Sequence, residues 1–274
     1  MAFGPVLKLK TMSLKNPKSD DKGSRRKGHI IMKTISLMEM LKAGVHFGHK
    51  TSLWNPKMAP YIYTQRNNVH VLDLEKTKNK LNEALNFARD TASKGGSVLF
   101  VGTKRQAKDE VRKAAESCNM PYVVTRWLGG TFTNFRTIQR TIKKMERYEK
   151  MIADGEIKKY TKKEQLMIAR EVEKMKTFFS GIKDMKKLPE AIFVLDTKYD
   201  HIPVEEARQS KVKIIGLVDT NSDPTKIDYM IPSNDDAIKV ISFMAQIMAE
   251  AVNEGRAVMS PNIVTQTENT AVAK

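Results

Sequence analysis

Of 274 residues only one is cysteine, Cys118. A single thiol excludes an intramolecular disulfide framework and any multi-thiolate zinc cage within one chain. Its neighbours Ala114, Ala115 and Met120 suit a helix end packed on a core, so a buried structural thiol is expected. No run approaches the ~18 to 20 consecutive apolar residues of a membrane span, and the N-terminus lacks an apolar stretch of secretory type. The expectation is a soluble, cytoplasmic protein. Enzyme signatures are missing too: there is no G-x-G-x-x-G after a strand, no G-x-x-x-x-G-K-[ST], no G-x-S-x-G and no H-E-x-x-H. No proline interrupts the chain between Pro121 and Pro189, which leaves room for long helices.

Acidic residues are also in short supply, 31 against 48 Lys plus Arg, for a net charge of +17. The excess is uneven: residues 1 to 31 carry +6, 32 to 135 carry +8, 136 to 187 carry +8, and 188 to 274 carry −5. A polarised chain of this kind faces a polyanion on one side and not on the other. Lysine outnumbers arginine 35 to 13, which favours diffuse phosphate neutralisation over bidentate base reading, although a lysine-biased genome produces the same ratio.

Residues 1 to 31 show no apolar periodicity after Leu7 and are read as a flexible basic arm; Met32 also offers a second start, and composition is compatible with either origin. Ser36 is placed to cap a short helix containing Leu37, Met40 and Leu41, which Gly44 ends. Then strands and helices alternate. Strands are expected at Val69–Leu74, Ser97–Gly102, Pro121–Val124, Ala191–Asp196 and Val212–Asp219. Helices are expected around Leu81–Ala88, Ala107–Ala115, Val204–Ser210 and Asp235–Asn253. Such alternation means a parallel sheet with helices on both faces. Between Ile138 and Lys187, apolar residues recur at helical spacing and Asp154-Gly155 breaks the pattern, predicting two antiparallel helices in a projecting coiled-coil hairpin. The expected organisation is an arm (1–31), an α/β globular domain (32–135 and 188–259), an inserted hairpin (136–187) and a flexible tail (260–274).

Two segments mix cations, aromatics and amides, as surfaces that meet phosphates and unpaired bases do. The first offers Lys50, Trp54, Asn55, Lys57, Arg66 and Asn67; the second, Arg126 to Arg136, offers Arg126, Asn134 and Arg136, followed on the hairpin by Arg140, Lys143 and Lys144. Its glycines Gly129 and Gly130 would let the backbone approach another chain closely, and Trp127, Phe132 and Phe135 are expected mostly to pack. Lys104 and Arg105, at the turn Gly102–Gln106, could hold a phosphate against a helix N-terminus. Asp196 and Asp219 end strands and are expected to bond loop amides, and Asp219–Pro224 reads as a turn held by its own side chains. His46 and His49 could offer imidazoles to zinc, but with no cysteine or acid nearby they are expected to hydrogen-bond or stack. No metal or cofactor is expected.

Several segments together are similar to the bacterial small-subunit ribosomal proteins of the S-two family: Ala43–His49, Asn55–Tyr63, Phe100–Ala107, Arg126–Asn134, Val218–Pro224 and Ile231–Ala237. The likeness covers about Thr34 to Met259. It departs at Ser233, where the family commonly has Gly. The resemblance implies a flavodoxin-like sheet with an inserted coiled-coil hairpin. It implies a non-enzymatic constituent of the small ribosomal subunit that binds 16S ribosomal RNA and neighbouring proteins, and helps recruit the large first small-subunit protein near the messenger exit. It implies neither a membrane nor a small-molecule substrate. Two rival readings are a nucleotide-binding enzyme using the Gly102–Gln106 turn, and a scaffold whose hairpin binds a partner helix.

Overall fold

Ser36 accepts from the Met38 amide while Glu39 reaches back to the Ser36 amide, and this capping box starts α1 (Leu37–Ala43) where the sequence expects it. Everything before it lies outside the described residues: the structure, a computed structural model, describes residues 35–271, with side chains through Val258. The expected arm falls outside that range.

The chain next builds a small antiparallel sheet from β1 (Phe47–Lys50), β2 (Ile62–Arg66) and β3 (Val69–Leu72), in the order β1-β3-β2. The strand expected at Val69 therefore belongs to a separate antiparallel sheet and not to the parallel one. Asn67 and Asn68, at φ 50° and 60°, form the two-residue turn between β2 and β3; asparagine tolerates this left-handed region, and such a turn matches the twist of a hairpin. Asp73 then accepts from the Glu75 and Lys76 amides and caps α2 (Leu74–Ser93).

The main sheet is β4 (Val98–Val101), β5 (Tyr122–Val123), β6 (Ala191–Val194), β7 (Lys213–Val218) and β8 (Tyr229–Pro232), all parallel, in the order β5-β4-β6-β7-β8. Its members read as unbroken apolar runs because both faces are covered. Val98, Phe100, Phe193, Ile215 and Leu217 pack under α1, α2, α3 (Lys108–Ser117) and α7 (Ile238–Ala271). Leu99, Val101, Ile192, Val194 and Ile214 pack under α6 (His201–Gln209) and the roots of α4 (Phe135–Ala153) and α5 (Lys162–Phe179). Phe100 and Phe193 meet edge to face at 5.5 Å between the first layer of helices and the sheet. The sheet thus has the α/β architecture and strand order of flavodoxin-like folds. Strand β8 escapes sequence reading because it is four residues long, sits at the edge and ends in Pro232. Helix α7 runs to Ala271, well past the expected Asn253 and through most of the segment read as a tail.

Between α4 and α5 the break falls at Gly155, φ +73°, and a second capping box, Thr161 with Glu164, starts α5. Ile138, Ile142 and Met145 of α4 share a buried cluster with Val172, Met175 and Phe179 of α5. Ion pairs tie the two helices at Lys144–Glu171 (2.7 Å) and Lys176–Glu149 (3.1 Å). Cys118 is fully buried, and burial raises its thiol pKa to about 11, as a structural role requires.

Candidate nucleic-acid interface and acidic crevice

In this strand order the chain reverses direction across the sheet between β4 and β6, and ligands of open α/β sheets bind beyond the carboxyl ends of the strands at such a point. Here that crevice is acidic. Lys104 Nζ lies 2.9 Å from Asp196, 3.4 Å from Asp235 and 2.7 Å from Asp236. Asp200 accepts from the Thr103 amide at 3.2 Å and its hydroxyl at 2.6 Å. Burial works against the Lys104 charge, but Asp236, Asp235 and Asp196 outweigh it and hold its pKa well above the ordinary lysine value. Burial, reinforced by the Asp196 and Asp219 carboxylates, pushes Asp235 up to about 7, and burial alone dominates in raising Asp200 to about 6.

A phosphate has no place among these groups. Gly102 is not a cradle either: a Cβ there would sit 2.6 Å from Val111 Cγ2, so the glycine lets α3 pack against β4. The expected phosphate contact at Lys104 is therefore corrected, because its charge is spent on three carboxylates. Arg105 beside it is exposed. Asp196 does bond the Lys198 and Tyr199 amides, at 3.0 and 2.7 Å, as strand-end aspartates were expected to do.

The small sheet delivers a histidine to the same crevice. The His49 amide donates to Thr220 Oγ1 at 2.9 Å and the Asn55 amide to Thr220 O at 2.7 Å, which fixes β1 against the loop after β7. His49 Nδ1 then lies 3.0 Å from Asp219, and Nε2 lies 3.3 Å from Asp236. The hydrogen bond to Asp219 raises the His49 pKa. Ligand atoms of His49, Asp219 and Asp235 fall within 4.8 Å of one another. The acidic partners that the local sequence lacks thus come from about 170 residues away. His46 does not join them: its ring stacks on Phe47 at 4.1 Å, its Nδ1 is buried without a partner, and burial lowers its pKa. One imidazole with two carboxylates is a donor set for a small divalent cation. Zinc is expected to raise the unfolding temperature of chelator-treated protein, and His49→Ala to abolish the rise. Because His49 must shed a proton whose pKa is raised, the effect should weaken as pH falls below 7.

The remaining expected contacts divide by what each side chain already does. Lys57 is held by Asp223 at 2.8 Å, which depresses that carboxyl to about 2, and Asn55 caps the following turn through the Lys57 amide. Trp54 leans on His70 at 5.2 Å. Asn67 shapes the β2–β3 turn, and Lys144 is paired with Glu171. Lys50 and Arg66 are exposed with no ion pair among the described residues.

Arg126, Asn134, Arg136, Arg140 and Lys143 stand apart: all are exposed, at or just before the start of α4, and none is ion-paired among the described residues. Arg136, Arg140 and Lys143 extend to Arg147 and Lys150 in steps of three and four residues, a single stripe opposite the buried Ile138, Ile142 and Met145. At about 1.5 Å per residue the stripe is roughly 21 Å long. Arg147 and Lys150 belong to it and were missed by sequence reading, although the same helical spacing that located the apolar face would have found them.

A family model described as ribosomal protein S2 matches residues 40–255. The chain belongs to the ribosomal protein S2 family. Members of this family are structural proteins of the small ribosomal subunit, ribonucleoprotein components of translation and not enzymes. The family match takes in both the acidic crevice and the α4 stripe, and it places the chain at the ribosome. No helix among the described residues is long and apolar enough to cross a membrane.

Proposed function

We propose that the protein binds 16S ribosomal RNA through the α4 stripe and the Arg126–Arg136 loop, positioning itself by phosphate contacts and taking its specificity from RNA shape and a few unpaired bases. The observation that carries this is the stripe: five exposed cations on one helix face with no carboxylate partner among the described residues. In this reading α4 and α5 work as an inserted antiparallel coiled-coil hairpin, residues 136–187. The globular part, 32–135 with 188–259, meets neighbouring ribosomal proteins, its net-acidic C-terminal third turned to basic ones. Helping to recruit the large first small-subunit protein belongs to that same part, and no cofactor or small-molecule substrate is required.

The test is salt dependence. The protein should cosediment with small subunits at moderate salt, and log affinity should fall linearly with log salt at a slope equivalent to about five phosphate contacts. A slope near zero would sink the reading. Deleting residues 140 to 185 should remove RNA protections; loss of a protein neighbour with the RNA footprint intact would favour the scaffold reading instead.

A further inference from the structure

Glu206 lies on α6, 7% exposed, with no lysine or arginine paired to it among the described residues. A buried carboxylate without a counter-ion persists only where hydrogen bonds replace its water. Here five donors converge on it, all from the Arg126–Arg136 segment. Trp127 Nε1 and the Gly130 amide reach Oε1 at 3.1 and 2.7 Å. The Phe132 and Thr133 amides and the Thr133 hydroxyl reach Oε2 at 2.9, 3.3 and 3.4 Å. The loop is wrapped round one side chain some 70 residues later in sequence.

That arrangement explains features which would otherwise be read separately. Gly130 takes φ +90°, a conformation other residues rarely adopt, and so aims its N–H at the carboxylate. The turn is completed by the Asn134 amide donating to Gly130 O at 2.8 Å. Trp127 and Phe132 meet edge to face at 5.0 Å and are buried, which turns the intervening and flanking residues outward. The glycine pair therefore serves this turn; the sequence expectation of close approach to another chain is replaced by close approach to Glu206. Arg126 lies just before the clamped residues and Arg136 just after them, both exposed.

We infer that Glu206 is the positioning residue of the RNA-binding loop: by gathering five donors it fixes the geometry in which Arg126, Asn134 and Arg136 are presented beside the α4 stripe. The inference rests on the RNA reading above. Glu206 itself, buried and negative, touches no phosphate.

The test uses full-length protein and small-subunit particles stripped of it, with affinity measured between about 50 and 200 mM monovalent salt. Arg126→Glu and Arg136→Glu should each lower the salt slope by about one contact. Glu206→Gln, which keeps shape but turns an NH2 group toward N–H donors, should lower it by about two contacts and weaken binding about tenfold at moderate salt. Val204→Ala, a cavity in the same helix that leaves the clamp intact, should reduce thermal stability and keep the wild-type slope. If the arginine variants lower the slope and Glu206→Gln does not, or if Val204→Ala lowers it equally, the clamp is overturned while the RNA reading stands. If the arginine variants keep the wild-type slope, both fall. Should Glu206→Gln fail to fold, hydrogen exchange on the wild type decides: Gly130, Phe132 and Thr133 amides protected as strongly as the sheet support the clamp, and exchange at the rate of exposed loops refutes it.

Discussion

Reversing three charges of the α4 stripe, Arg136→Glu, Arg140→Glu and Arg147→Glu in one chain, should cost about a hundred- to a thousandfold in affinity for stripped small-subunit particles at 0.1 M salt. The figure comes from counterion release: each phosphate neutralised is worth close to one decade at that salt, and three are lost together with added repulsion. Stability should barely move, since the three side chains are exposed and without partners among the described residues. The control has the same net charge change: Lys198→Glu, Lys211→Glu and Lys239→Glu, exposed residues of the acidic C-terminal third. Less than a tenfold loss is expected there. Equal losses in the two triple variants would show that net charge, and not the stripe, drives association.

What was legible in the sequence was local. The runs Val98–Val101 and Ala191–Val194 announce parallel strands because burial on both faces leaves no polar alternation. Ser36 with Glu39, Asp73 before α2, and Asp154-Gly155 between α4 and α5 mark helix ends through bonds made within a few residues. What was not legible depended on chain folded back from far away. His49 meets Asp219 and Asp236 only because β1 docks on the loop after β7, and Lys104 meets Asp235 and Asp236 only once β8 has joined the sheet. Cations that looked available, Lys57 and Lys104, were thereby spent. Asn67 shows the opposite error: it was read as a ligand for RNA when a two-residue hairpin turn already accounts for it. Glu206 had no signal at all, since one acid on an amphipathic helix looks like any solvated residue until Trp127 and the Gly130 amide arrive.

Lys104→Met should be the most damaging single substitution in the crevice, at about 3–5 kcal/mol, because it strands buried carboxylates without their cation. Asp196 and Asp235 are nearly fully buried, whereas Asp236 is exposed and can turn to water. Two buried charges are therefore left, and the cheapest relief is to protonate Asp235, already raised to about 7 with Lys104 in place. A carboxyl whose folded pKa lies above its unfolded value binds more protons in the native state, so stability falls as pH rises between the two values. The variant should accordingly lose more at pH 8 than at pH 5.5, and thermal unfolding at the two pH values measures the difference. Asp235→Asn on top of Lys104→Met should recover part of the loss, because it removes the charge that has no partner. Lys57→Met makes the comparison that isolates burial: its partner Asp223 is 28% exposed, and the expected cost is under about 1 kcal/mol. A Lys104→Met protein that unfolds like the wild type at both pH values would mean the carboxylates are hydrated in solution. Below its unfolding temperature the variant should bind RNA as tightly as the wild type, since Lys104 supports the sheet end and does not meet the phosphate.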